Sequence, residues 1–223
     1  FIKYFFEAFL LYLSFLFIKL IGLNLSRKIF SKIFIIFGPL FKKKEIISGN
    51  LKNFKDSISE SEEKKIIKDM WSNYGMTFVE YIYLSKFDKK NDHIQIKGEK
   101  ILREILKKNK PVIFISGHFA NFELMSMEIR KRGINLATIY RPLNNYFINP
   151  FMEYLRKRYV CKNQIKKGIN GVREAIEYIK KNHSIALMID QRVSEGEKIN
   201  FFNKVARTTT LPAQLAKKYN MPI

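Results

Sequence analysis

A histidine and a glutamate stand five residues apart in the sequence, where a predicted strand ends. Residues 112–116 (VIFIS) form a short apolar run that leads into His118, and Glu123 follows. In an unbroken helix this spacing would place the two side chains about 140° apart. If the chain instead turns and a helix begins near Asn121, Glu123 lies in the first helical turn and can bend back to the imidazole. The two residues therefore fit a histidine–carboxylate dyad.

Such a dyad could act as a general base. A carboxylate bonded to one ring nitrogen fixes the tautomer and makes the other nitrogen a better proton acceptor. Backbone amides at the start of the following helix could stabilise an oxyanion. The spacing is also compatible with a structural histidine and a helix-starting glutamate, because isolated pairs of this kind are common by chance. Spacing alone leaves both interpretations open.

Other catalytic chemistries lack their motifs. His93 and His183 have no metal-ligand spacing to His118, and the sequence contains no HExxH, so zinc catalysis is not expected. There is no Walker A loop, no GxGxxG and no GxSxG elbow. Cys161, the single cysteine, has no histidine at a recognisable family spacing, so a thiol nucleophile is not expected either.

The segments around His118 alternate between strand and helix. Leu136–Tyr140 and residues 184–190 (SIALMID) resemble the run at 112–116 and predict further strands. Strands alternating with helices indicate an α/β domain with a mostly parallel sheet flanked by helices. Functional groups collect at the carboxyl edge of such a sheet, so Asp190 and Gln191 are expected on the same edge as His118. Helices are predicted from Ser59 onwards, over Glu99–Lys108, and at about 148–158, 171–181 and 211–219.

The first 41 residues are unusually apolar. They contain ten of the 20 phenylalanines, and residues 8–18 carry no charge. An uncharged run of this length is shorter than the roughly 20 residues that a spanning helix needs. Extending it to residues 4–26 takes in Glu7 and Lys19. A buried helix of a soluble core and a signal peptide are the alternatives, but the segment is apolar on nearly every side and no small-residue cleavage site follows.

We therefore predict that residues 1–41 are a membrane anchor, which forms a hydrophobic helix that spans the bilayer or lies in its interface. The basic run Lys42, Lys43 and Lys44 would hold the remainder, residues 42–223, on the cytoplasmic side.

The charge balance points to anionic partners. The chain has 41 Lys and Arg against 20 Asp and Glu, a net charge of +21, together with 47% hydrophobic residues. So apolar a chain is not disordered, and one cysteine excludes a disulfide framework. The charge fits nucleic acid, an anionic membrane surface, or an acidic protein or phosphorylated substrate. Nucleic acid is the weakest of these, because no recognition motif is present and the charge is spread along the chain.

Several blocks of the sequence, in order, resemble one known family. They are GHFANFE at 117–123, with an H-x4-D/E motif, YRPLNN at 140–145, the stretch 168–191 that closes in IDQ, and FFNKVARTTTLPAQLAKKYNMPI at 201–223. NLKNF at 50–54 and GMTFVEY at 75–81 also fit. Together they resemble the lauroyl/myristoyl acyltransferases of bacterial lipid A biosynthesis, within the lysophospholipid acyltransferase superfamily. Asn203 departs from the pattern, since the family usually has glycine there. The family continues beyond residue 223, so we expect the chain to be a piece of a longer protein.

The resemblance implies a glycerolipid-acyltransferase-like domain and an acyl transfer reaction. The donor would be acyl carrier protein or a coenzyme A thioester, and the acceptor a hydroxyl of a phosphorylated lipid A precursor at the cytoplasmic face of the bacterial inner membrane. His118, aligned by Glu123, would take the hydroxyl proton as that oxygen attacks the thioester. No cofactor or metal is needed, because the thioester is a co-substrate. Another glycolipid or phospholipid acceptor, or a non-enzymatic basic membrane-binding protein, remain the alternatives.

Substrate contacts are expected around the same strand ends. Arginine binds phosphate through a planar fork of donors, so arginines near the sheet edge are candidates for the sugar lipid or the donor, with a solvated basic face as the alternative. An anionic membrane and an acidic carrier would both be attracted to this surface, whereas nucleic acid is not an expected partner. The predicted substrate-binding residues are Arg141, Asn144, Asn145, Arg158, Asp190, Gln191 and Arg207.

Overall fold

The computed structural model describes residues 1–42, 44–55, 57–194 and 196–223. Lys43, the middle of the predicted basic run, lies outside these residues. The helices are α1 (Ile2–Ile21), α2 (Leu23–Phe37), α3 (Lys44–Phe54), α4 (Glu60–Glu80), α5 (Leu84–Lys89), α6 (Glu99–Lys108), α7 (Glu123–Lys131), α8 (Asn149–Leu155), α9 (Ile169–Lys180) and α10 (Leu211–Tyr219). The strands are β1 (Ile113–Ser116), β2 (Leu136–Tyr140), β3 (Asn163–Lys166), β4 (Ser184–Met188), β5 (Glu197–Phe201) and β6 (Lys204–Thr208).

Contacts divide the chain into two compact units. One contains Phe1–Leu10, Leu84–Glu197 and Arg207–Ile223, and the other contains Leu11–Tyr83 and Lys198–Ala206. The sequence predicts a different division, between a membrane anchor (1–41) and an acyltransferase domain (42–223). That division depends on which residues contact a membrane, and it stays a prediction.

Within the described residues of the first unit, β1 to β4 form a four-stranded parallel sheet in the order β1-β4-β2-β3. Ile113 of β1 pairs with Ile185 of β4, and Leu136 of β2 with Ser184 of β4. Short apolar runs of this kind suit a sheet that is covered on both faces. The predicted α/β fold with a parallel sheet is therefore confirmed. The core packed around it consists of Ile113, Ala137, Ile165, Ala175, Ile179, Ile185, Leu187, Leu215 and Met221.

The third strand was not predicted from the sequence. Its residues, Asn163–Lys166 (NQIK), include only one apolar side chain, Ile165, which is fully buried. The strand's own polar side chains help to hold it in place. Asn163 Nδ2 donates to the Leu136 carbonyl at 2.9 Å, and Gln164 Nε2 donates to the Cys161 carbonyl at 2.8 Å. β3 thus depends on contacts with β2 and the preceding turn rather than on its own pattern.

The first helix, α1, is long and apolar enough to cross a membrane by length and composition. Only 17% of its most apolar 18-residue window is buried, which is unlike the core helix of a soluble protein. Ala8, Phe15 and Ile18 are the buried apolar positions among its described residues, while most of the other phenylalanines and leucines are exposed. The N-terminal apolar helix expected from the sequence is confirmed, and its exposure favours association with a membrane.

The second unit is built on the packing of α2 against α4. Gly75 allows the close approach, since a Cβ there would lie 2.3 Å from the carbonyl oxygen of Phe30. The ring of Phe78 contacts Phe15 and stacks on Phe30, with centroid distances of 5.2 and 5.5 Å. At the start of α4, the hydroxyl of Ser59 accepts a hydrogen bond from the Glu62 amide at 3.2 Å, so Ser59 caps the helix that was predicted to begin there.

Strands β5 and β6 form a two-stranded hairpin. The residues between them, Phe202 and Asn203, both have positive φ, at 48° and 58°. This is the backbone pattern of a tight two-residue hairpin turn. Asparagine tolerates the left-handed conformation. This explains how Asn203 can occupy a position where the family that the sequence resembles usually has glycine.

Candidate active site

His118 lies immediately after β1, and Asp190 lies immediately after β4. These strands are neighbours, and the amide of Ile189 donates to the Ser116 carbonyl at 2.9 Å as the pairing ends. The parallel register thus brings the two side chains together. Asp190 Oδ1 lies 2.7 Å from His118 Nδ1, and Asp190 Oδ2 accepts from the His118 backbone amide at 2.8 Å.

Asp190 therefore holds both the ring and the backbone of His118. Burial alone would raise the pKa of Asp190, but the two hydrogen bonds and the charge of the ring outweigh it and lower that pKa below its ordinary value. An ionised carboxylate can only accept hydrogen bonds, so Nδ1 must carry the proton. When the ring is neutral, the lone pair is then on Nε2, so that nitrogen could accept a proton. The ring also meets Phe122 edge-on, at 4.6 Å between centroids.

Gly117 allows Asp190 to come this close. A Cβ at this position would lie 2.8 Å from the ring of Phe119 and 3.3 Å from Asp190 Oδ2. The following residues turn, with Ala120 at a φ of 43°, and α7 begins at Glu123. The expected position of Glu123 in the first helical turn is confirmed, although the N-cap position is Phe122 rather than Asn121.

Glu123 forms a buried ion pair with Arg156. Arg156 Nε donates to Glu123 Oε1 at 2.7 Å, and the two residues are only 7% and 9% exposed. The guanidinium also lies 5.5 Å from the ring centroid of Tyr140. The Tyr140 hydroxyl donates in turn to Glu153 at 2.5 Å, and burial together with this hydrogen bond raises the pKa of Tyr140. A buried charge of each sign is thus held in a fixed position.

A cavity of about 440 Å³ joins these groups. His118 and Glu123 both line it, and so does Arg156. Its other walls combine apolar side chains with polar ones, a composition that can hold an apolar chain and position it with polar groups. The apolar part of the lining includes Phe122, Ile139, Leu143, Val160, Leu187, Met188, Val193 and Leu211.

A family comparison agrees with this architecture. The family model described as bacterial lipid A biosynthesis acyltransferase matches residues 2–223. The chain belongs to this family. No curated protein matches it in a sequence search. The chain is therefore an acyltransferase of lipid A biosynthesis by family, and the N-terminal apolar helix together with that family indicates association with a membrane.

In this lipid A acyltransferase the cavity collects most of the residues predicted around the strand ends. Arg141 and Asn144 follow β2 and line the cavity, and Gln191 lines it from the end of β4. Asp190 contacts His118 directly. The predicted dyad of His118 with Glu123 stays a prediction: both side chains line the cavity, and the carboxylate on Nδ1 is that of Asp190.

The described lining of the cavity does not include Asn145, Arg158 or Arg207. Asn145 is buried, and its Nδ2 donates to the carbonyl of Tyr4 at 2.9 Å, which ties the loop after β2 to the start of α1. Arg158 is exposed. Arg207 is also exposed, and its Nη1 donates to the carbonyl of Ser194 at 3.0 Å. Substrate contacts by these three residues stay predictions.

Arg156 is the site residue that the sequence analysis missed. It stands in a π-helical turn, Arg156–Val160, that continues α8. A signal was present, because Arg156 lies four residues after Met152 and so shares its face of the helix. A lone arginine on the apolar face of a predicted helix marks a buried charge that needs a partner.

Cys161, the single cysteine, is buried in the acyltransferase, and burial raises the pKa of its thiol. Its Sγ donates to the carbonyl of Leu136 at 3.0 Å. Reactive cysteines have lowered thiol pKa values and are accessible, and Cys161 has neither property.

Among the residues that the structure describes, no group of three or more His, Cys, Asp or Glu side chains could hold a metal ion.

Proposed function

We propose that this acyltransferase moves a fatty acyl chain from a thioester of acyl carrier protein or coenzyme A to a hydroxyl of a phosphorylated lipid A precursor. The observation that carries the proposal is the contact of 2.7 Å between Asp190 and Nδ1 of His118, beside a cavity that is lined by apolar and polar side chains. It leaves a basic nitrogen, Nε2, on a side chain that lines that cavity.

The reaction is a single displacement. Nε2 of His118 takes the proton of the acceptor hydroxyl while that oxygen attacks the thioester carbonyl carbon. The new C–O bond forms as the C–S bond breaks, and the leaving thiolate recovers the proton from the imidazolium. Asp190 stabilises the imidazolium between these two proton transfers, because its negative charge contacts Nδ1. No covalent acyl-enzyme is required.

Glu123 is the second member of the proposed catalytic pair, and its ion pair with Arg156 gives it a fixed place on the cavity wall. The Arg156 guanidinium places a positive charge on the same wall. Charges that are already in position stabilise a developing oxyanion without reorganisation during the reaction. In this proposal Arg156 acts on the oxyanion while Glu123 keeps the guanidinium in place.

Arg141, Asn144 and Gln191 would contact the polar part of the substrates. They line the cavity at the carboxyl ends of β2 and β4, and Arg141 is exposed. An arginine that accepts phosphate bidentately suits the sugar phosphate of the acceptor or the phosphate of the donor's prosthetic arm. Placement at the cytoplasmic face of the inner membrane, where acyl thioesters are made, belongs to the same proposal.

The test is product analysis by mass spectrometry. The purified chain in nanodiscs is offered acyl carrier protein and coenzyme A thioesters of several lengths, with a lipid A precursor or a phospholipid as acceptor. We expect acylated lipid A precursor from the wild type. His118→Ala and Glu123→Ala should each abolish transfer while the protein stays in the membrane fraction.

His183→Ala is the matched control, because His183 lies in a turn before β4 and its Nδ1 contacts only the local carbonyl of Lys181 among its described hydrogen bonds. It should keep wild-type activity. Transfer that persists in His118→Ala would exclude the general-base mechanism. A wild type that binds the lipid precursor but transfers no acyl chain from any donor would favour a non-enzymatic lipid-binding protein.

A further inference from the structure

The hairpin of β5 and β6 exposes large apolar side chains. All five residues of β5 are exposed. Phe201 and Val205 are 62% and 72% exposed, and Ile199 and Phe202 are also exposed. Phe54, at the end of α3, is exposed as well and meets Phe202 edge-on at 5.2 Å. We name these five side chains the aromatic tip.

The turn of the hairpin is strained in order to carry an aromatic residue. Phe202 has a φ of 48°, a left-handed conformation that costs energy for a bulky side chain. Glycine, asparagine and aspartate are the residues that usually fill such a turn position. Strain of this kind is kept at functional positions, where the side chain itself is needed. An exposed phenylalanine at the point of a hairpin gains nothing from water, so it needs an apolar environment.

Basic groups flank the aromatic tip. Lys198, Lys204 and Arg207 are exposed on the two strands, against one acidic side chain, Glu197. The arrangement places phenylalanines at the end of the hairpin and cations beside them. In membrane interfaces aromatic rings sit at the level of the headgroups, and lysines and arginines are attracted to anionic lipids.

We propose that the aromatic tip inserts into the interface of an anionic lipid bilayer. The compact unit that contains Lys198–Ala206, the greater part of the hairpin, also contains residues 11–21 of the candidate membrane span. An acidic protein would need an apolar pocket that matches the tip as well as negative charge, whereas an anionic bilayer offers an apolar phase and negative headgroups together. The bilayer satisfies both, and the hairpin thus forms a second membrane contact that does not depend on α1.

The test is quenching of a tryptophan placed at the tip. Phe202→Trp is reconstituted in nanodiscs of phosphatidylcholine and phosphatidylglycerol whose acyl chains carry bromine near the headgroup. The wild type gives the baseline, since its only tryptophan, Trp71, is buried. Ile101→Trp is the matched control, because Ile101 is an apolar residue on α6 that is 63% exposed.

We expect the emission added by Phe202→Trp to be blue-shifted and quenched by the brominated lipids, and that added by Ile101→Trp to be unaffected. Val205→Trp, which does not alter the turn, should behave like Phe202→Trp and keeps the test decisive if the turn variant folds poorly. Lys198→Glu combined with Lys204→Glu should reduce quenching in discs with phosphatidylglycerol.

Emission at both tip positions that is as insensitive to brominated lipids as the control would overturn the proposal. If that emission instead shifted when acyl carrier protein was added, the tip would be a docking surface for the acidic carrier. The measurement involves no turnover, so its failure is distinguishable from failure of the proposed acyl transfer.

Discussion

Replacement of Asp190 by asparagine changes one atom and one charge at the contact that holds His118. The backbone amide of His118 is a fixed donor, so the carboxamide oxygen must stay opposite it, at the present 2.8 Å. The carboxamide NH2 group then faces Nδ1 of His118 and can only donate. Nδ1 becomes the acceptor, and the ring proton moves to Nε2. The nitrogen that should take the substrate proton no longer has a lone pair.

The expected loss is that of general-base catalysis. Such catalysis contributes roughly 10²–10⁴-fold to a rate, which corresponds to about 3–5 kcal/mol of transition-state stabilisation. Asp190→Ala should lose less than Asp190→Asn, because alanine removes the contact without imposing the wrong tautomer. We therefore expect kcat to fall in the order wild type, Asp190→Ala, Asp190→Asn, with a smaller effect on KM.

The assay is the initial rate of acyl transfer in nanodiscs, with kcat measured as a function of pH. Asp69→Asn, at an exposed position of α4, controls for the loss of one negative charge. Thermal unfolding shows whether each variant is folded at the assay temperature. If Asp190→Asn were folded and at least as active as Asp190→Ala, the assignment of the tautomer by Asp190 would be wrong.

Three further results are expected. Glu123→Gln or Arg156→Met alone should destabilise the protein by about 3–5 kcal/mol, because either leaves a buried charge without its partner, and the double variant should recover part of this loss in thermal unfolding. The lowered pKa of Asp190 means that its ionised form stabilises the fold above its unfolded pKa and that this contribution disappears as pH falls through the folded pKa. The stability advantage of the wild type over Asp190→Asn should therefore begin to shrink below about pH 4 and vanish once the pH is below the lowered folded pKa, and an advantage that grew on acidification would contradict the contact. Gly75→Ala should cost about 1–3 kcal/mol through overpacking against the α2 backbone, whereas Gly49→Ala, with open space around it, should be neutral or stabilising, and equal melting temperatures for the two would refute the close approach.

The parts of the fold with a strong local pattern could be predicted from the sequence. Leu136–Tyr140 and Leu211–Tyr219 have their predicted bounds, because apolar runs and helix ends are encoded locally. β3 was not predicted, since a strand with one apolar residue is specified by its neighbours. The β5–β6 hairpin was missed for a related reason: its turn is Phe-Asn rather than a glycine-containing pair, and its strands bury little.

The candidate site could likewise be predicted only where it depends on local sequence. A strand end places His118 at the sheet edge, so the proposed base could be chosen from the sequence alone. Which carboxylate contacts its Nδ1 depends on strand order, and the order β1-β4-β2-β3 places Asp190 beside it. Arg156 was missed because the basic run at 156–158 contains two arginines, and only the spacing from Met152 distinguishes Arg156, which is buried, from Arg158, which is exposed.

The contact between His118 and Asp190 joins residues 72 positions apart in the chain. The segment between them contains β2, β3 and three helices, and β4 must find β1 as its parallel partner before the two side chains can meet. Pairing over such a distance carries a large loop-closure cost and forms slowly. A slip of one residue in that pairing would turn Asp190 to the opposite face of the sheet. A chain that is still folding therefore lacks the His118–Asp190 contact, and the proposed transfer can begin only after the sheet has closed in register.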